Sequence, residues 1–121
     1  TYTAVPNGFA ELFCAGHILT HDGRLLTAGG HNGAGVGTPD TTIFDAATQQ
    51  WTALADLGYA RWYPSLVQLA DGRAYTIGGA ISRPSTAEVP EALSLGGGSW
   101  SAFPAAQKDV GEYPVMFQGP T

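Results

Sequence analysis

The 121-residue chain holds a single cysteine, Cys14, so no disulfide can form within it and the redox compartment cannot be read from pairing. Charged residues make up only 12%, and ten acidic against five basic residues leave a net charge of −5. No Lys/Arg cluster forms a phosphate-contacting patch, which argues against a nucleic-acid partner. No stretch approaches the roughly 18 apolar residues of a membrane span, and no charged-then-apolar N-terminal stretch reads as a signal peptide, so a soluble piece and no membrane are expected. What the chain has in abundance is turn chemistry. Seventeen Gly and eight Pro beside 44% hydrophobic residues point to an all-β protein with many tight turns, because Gly and Pro interrupt helices and serve turns.

Two segments align without a gap at one offset. Asp22-Gly23-Arg24 recurs as Asp71-Gly72-Arg73, 49 residues on, and at the same distance Gly29-Gly30 recurs as Gly78-Gly79 and Trp51 as Trp100. In each unit an apolar run, an Asp-Gly turn and a second apolar run predict a hairpin: His17 to Thr20 with Arg24 to Ala28, and Leu66 to Leu69 with Arg73 to Ile77. Thr41 to Asp45 and Gln50 to Leu54 follow as strands in the first unit. Glu91 to Ser94 and Ser99 to Phe103 take the same places in the second.

Four strands per unit of about 40–50 residues is the period of a propeller blade, and the doubled Gly with a later Trp resembles the kelch repeat. The expected fold is an all-β, kelch-type β-propeller fragment of about two four-stranded blades plus the start of a third. Its layout is an incoming segment over 1–10, blades over 11–58 and 59–108, and the opening of another over 109–121, where Tyr113-Pro114 echoes Tyr63-Pro64. Propellers close with typically four to eight blades, so the remaining blades of a longer protein are expected partners.

Cys14 and Tyr63 share the same 49-residue offset, each just before the first strand of its unit. Equivalent positions on adjacent blades approach each other near the propeller axis, so a sulfur and a phenol are expected to meet there. The alternative is a small buried cysteine and a channel-lining aromatic, the usual fate of both residue types. Arg24 and Arg73 repeat with the unit and read as structural, as do Trp51 and Trp100 between blades. Arg61 and Trp62 do not repeat and flank Tyr63, which makes them candidates for supporting or substrate-side residues. His17 and His21 fall on a strand and its turn, where four residues span about 13 Å, too far to share a metal easily. His31, in the loop after the doubled Gly, reads as a solvated polar residue. The Gly-rich run from Gly29 to Gly37 lacks the helix and GK[ST] that a phosphate cradle needs.

Phe13-Cys14 with Gly16, Asp22-Gly23-Arg24, Gly29-Gly30 and Ala60-Arg61-Trp62-Tyr63-Pro64 resemble the corresponding stretches of the galactose oxidase and glyoxal oxidase family. That resemblance implies a secreted copper-radical oxidase that oxidises a primary alcohol or small aldehyde while O2 is reduced to H2O2. It makes Cys14 the sulfur of a thioether cross-link and Tyr63 the modified tyrosine that binds copper (Cu2+) and carries the radical. Imidazole and phenolate ligands suit Cu(II). The family's indole stacked on that tyrosine would fall, by ungapped alignment, at Ile81. Its axial tyrosine and two histidine ligands belong to later blades. The alternative is a non-catalytic kelch module that binds glycan or protein, since propellers host many functions.

Overall fold

In the computed structural model, which describes residues 1–120, the repeat becomes two four-stranded antiparallel sheets. The first contains β1 (Gly16–Leu19), β2 (Leu25–Ala28), β3 (Thr41–Asp45) and β4 (Gln50–Ala53) in sequential order. The second contains β5 (Ser65–Gln68), β6 (Ala74–Ile77), β9 (Glu91–Leu93) and β10 (Ser101–Ala102), again as a meander. Between β6 and β9 a small hairpin, β7 (Ala80–Ser82) and β8 (Ser85–Thr86), stands apart from both sheets. A single 3-10 turn, Pro104–Ala106, follows β10.

The bounds of β1 and β2 shifted by the repeat offset are those of β5 and β6. Backbone conformation follows the same rule: Gly23 and Gly72 have φ of 84° and 88°, Gly29 and Gly78 have 74° and 73°. The Asp-Gly turns close both first hairpins, with Gly23 donating to the Thr20 carbonyl and Gly72 to the Leu69 carbonyl. Asp22 then pairs with Arg24, and Asp71 with Arg73, confirming the two repeated arginines as turn braces.

The core lies where the sheets face each other. Leu26, Ala28 and Ile43 from the first pack with Ala74, Leu93 and Trp100 from the second, and Leu57 joins them. Alternation along short strands puts these residues on one face of each pleat. Trp100 is buried and donates its Nε1–H to Thr41 Oγ1 at 3.0 Å, so it packs across the two sheets as the repeat suggests. Trp51 instead packs at a tilt against Phe44 and donates to the Val5 carbonyl, tying down the incoming segment.

Candidate functional site

Cys14, Tyr63 and Tyr113 occupy the residue two before β1, two before β5, and the matching place in the segment after the second sheet. All three are in the left-handed region, at φ of 60°, 62° and 47°. This conformation costs a non-glycine residue of order 1–3 kcal/mol and persists only where the surroundings over-determine it. The cause is visible in the backbone. Tyr63 N–H donates to the Cys14 carbonyl at 3.0 Å, and Tyr113 N–H donates to the Tyr63 carbonyl at 2.8 Å. Successive units are thus stitched main chain to main chain at these positions, and side chains follow. The Tyr63 and Tyr113 rings lie 4.7 Å apart. Tyr63 has a pKa raised above its ordinary value, first by hydrogen bonding with the Cys14 side chain and then by desolvation, while the Arg83 charge opposes the rise. Tyr113 is raised as well, by burial and then by Cys14.

Trp62 covers the Tyr63 ring. The two rings are 4.5 Å apart and stacked at 29°, and Trp62 is itself buried. Its backbone is locked to β7 by a pair of bonds, Trp62 N–H to the Ala80 carbonyl at 2.8 Å and Ala80 N–H to the Trp62 carbonyl at 2.7 Å. An indole therefore does stack on the candidate phenol, but it arrives from the preceding residue and not from Ile81. His31 is drawn into the same cluster. It lies 5.8 Å from Trp62 and 5.5 Å edge-on from Phe13, so its packed setting corrects the reading of a merely solvated loop residue.

Arg61, the other candidate flanking Tyr63, proves to be structural. Its guanidinium is wholly buried and bound at every edge: to Glu91 Oε2 at 2.8 Å, to the Gly78 and Ala87 carbonyls at 2.8 and 3.1 Å, and to the Val89 carbonyl. Burial pushes its pKa down and the Glu91 carboxylate opposes that. Glu91 is completed by Gly58 N–H at 2.6 Å. A buried guanidinium needs this saturation, because an unpaired buried charge is very costly. No surface of Arg61 is left for a substrate.

The other histidines stay apart. His17 is exposed on β1, and the backbone N–H of His21 is held by Gln68 Oε1. Among the described residues no group of three or more His, Cys, Asp and Glu could hold a metal ion. A cleft lined by Glu11, His31, Thr38 and Asp40 adjoins the aromatic cluster through His31, and neither Cys14 nor Tyr63 lines it. The Gly-rich segment is a bridging turn, with His31 paired to Gly37 and Gly37 pressed against the Arg61–Trp62 peptide.

Two facing antiparallel four-stranded meanders joined in series define a β-propeller fragment. No family model matches the chain. Over 97 residues, 80% of its length, it is 28% identical to a galactose oxidase of Gibberella zeae, and it spans 14% of that protein. A second galactose oxidase from Gibberella zeae matches equally. Among solved structures, a fungal alcohol oxidase of the AA5 family, in complex with copper, superposes with a TM-score of 0.64 at 26% identity over 76% of this chain and 18% of the other. In sequence and in fold the chain is galactose oxidase-like.

Proposed function

We propose that the chain carries the redox-active corner of an extracellular copper-radical oxidase that converts a primary alcohol or small aldehyde to its oxidised product while O2 becomes H2O2. The observation that carries this reading is the meeting of Cys14 and Tyr63 at equivalent, left-handed positions of adjacent units, where the Tyr63 N–H donates to the Cys14 carbonyl. Similarity to galactose oxidases, and to an alcohol oxidase solved with copper, supports it.

The donor chemistry fits the metal. A phenolate oxygen is a good Cu(II) ligand, and Tyr63 presents its ring at the unit edge instead of burying it in the core. Copper, when bound, supplies one-electron redox chemistry beside that oxygen. Tyr63 would hold the metal through Oη and, once its phenol is oxidised, accept the second of the two electrons taken from the substrate. Cys14, bonded through sulfur to the ring, would donate electron density and make the phenol easier to oxidise. Trp62 keeps water from one face of the ring, while Arg61 and Glu91 fix the backbone from which Trp62 and Tyr63 project. The histidine and second tyrosine ligands that the resemblance implies would come from other blades.

The test is oxidase activity in the longer protein that contains these blades. Peroxide release with primary alcohols or small aldehydes is expected. Tyr63→Phe, which keeps the ring and removes its oxygen, should lower kcat by about a thousandfold or more, a barrier change of about 4 kcal/mol. Copper-loaded protein that binds glycan and releases no peroxide would favour the non-catalytic propeller module.

A further inference from the structure

One row of side chains runs past the candidate site without being explained by it. Phe13, Trp62 and Glu112 immediately precede Cys14, Tyr63 and Tyr113, so they are themselves equivalent positions in three successive units. His31 bridges the first two, lying against both rings. Arg83 bridges the second and third. Its Cζ stands 4.4 Å from the Trp62 ring centre and 6.0 Å from that of Tyr63, while Nε donates to Glu112 Oε1 at 2.7 Å and Nη2 pairs with Oε2.

Arg83 is half exposed, yet it is held at its backbone, along its stem and at its fork. Its backbone N–H donates to the Gly35 carbonyl at 2.9 Å. Its aliphatic stem lies so close over Gly35 that a Cβ there would stand 3.3 Å from both Cβ and Cδ of the arginine. Only the guanidinium's planar fork meets a carboxylate at two points and still lays a flat cationic face over an indole. The residue 49 positions earlier is Ala34, so this arginine belongs to the site and not to the repeat.

We propose that Arg83, held by Glu112, is a positioning residue that clamps the Trp62 indole onto the Tyr63 phenol and so prolongs the life of that phenol once oxidised. The protective half of this inference rests on the reading of Tyr63 as redox-active; the clamp itself does not. A stacked indole covers one face of the phenol against solvent and reductants, but only while it stays flat on the ring. Trp62 and Tyr63 are joined by one peptide, which fixes their backbones and leaves the indole free to turn about its own side-chain bonds. The ion pair removes that freedom.

The experiment uses the longer protein containing these blades, labelled with 5-fluorotryptophan, with the Trp62 resonance assigned by Trp62→Phe. In copper-free protein, Arg83→Gln and Glu112→Gln should each move that fluorine resonance toward the value of the free amino acid, leaving those of Trp51 and Trp100 in place. Arg83→Lys, which keeps the charge and loses the fork, should fall between. In copper-loaded protein, ferricyanide removes one electron from the Tyr63 phenolate and is reduced to ferrocyanide. The optical signal so formed should decay several-fold faster in the two Gln variants, with the Cys14–Tyr63 linkage intact. A Trp62 resonance unmoved in both variants overturns the clamp. A moved resonance with unchanged radical decay overturns the protective role, as does a wild-type protein that forms no radical, which refutes the reading of Tyr63 while the fluorine result still decides the clamp.

Discussion

Arg61 sits one peptide bond from Trp62, and alternation along an extended segment would aim one of the pair outward beside Tyr63. The chain spends it inward, where it binds Glu91 and three carbonyls of the 78–89 segment. Nothing local in the sequence distinguishes these fates, since the partner lies 30 residues on. Arg61→Ala should destabilise the propeller by about 3–5 kcal/mol, because it strands Glu91 unpaired in a dry interior. Denaturant titration of the longer protein checks this, and a cost below 1 kcal/mol would show that Glu91 finds water. The exposed turn pairs behave differently. Arg24 holds the Asp22 carboxyl, and Arg73 that of Asp71, below the usual carboxylate range, both first through side-chain hydrogen bonding. Carboxylates depressed in the folded state add stability above their unfolded pKa, which is lost as pH falls through the lower folded value. Asp22→Asn with Asp71→Asn should therefore lower Tm slightly at pH 7 and leave it unchanged in strong acid, below both folded values. A deficit that persists there would show that the turns need the carboxylates' shape and not their charge.

The elements were largely legible because the repeat states them twice. Hydrophobic runs around two Asp-Gly turns located β1, β2, β5 and β6, and Gly29-Gly30 with Gly78-Gly79 marked the ends of β2 and β6. Two details were not legible. The β7–β8 hairpin carries a Pro in its turn and only five strand residues, too few for a period-2 signal. β10 is shorter than expected, because Gly96-Gly97-Gly98 leads into it with residues that weaken strands. Close backbone approach is equally invisible in sequence. A Cβ on Gly37 would stand 2.5 Å from the Arg61 carbonyl carbon and 2.6 Å from both the Ala80 oxygen and the Trp62 nitrogen, all main-chain atoms that cannot step aside. Gly37→Ala should cost about 1–3 kcal/mol or more by overpacking. Gly96→Ala, which meets nothing within 4 Å, should be nearly neutral. Thermal unfolding of both variants compares them, and equal Tm values would contradict the packing described between Gly37 and the Arg61–Trp62 peptide.

At the scale of the molecule, the propeller architecture followed from periodicity, whereas the site needed three dimensions. The shared offset of Cys14 and Tyr63 put them on adjacent units, but the left-handed backbone at both, the indole arriving from Trp62 and the part played by His31 depend on contacts that no spacing encodes. The chain spans less than a fifth of the relatives it matches, and its two sheets carry one corner of the proposed centre. By itself the 121-residue chain is expected to release no peroxide when given copper and small aldehydes, since the remaining ligands would come from other blades. The central claim is that Cys14 and Tyr63 act as one redox unit, and peptide mapping of the longer protein after exposure to copper and O2 tests it most directly. The account predicts the two segments joined through sulfur and an ortho carbon of the phenol, with a hydrogen lost from each, and no such species in Cys14→Ser protein that remains folded. Separate peptides with a free Cys14 thiol, in protein whose copper site is fully loaded, would contradict it.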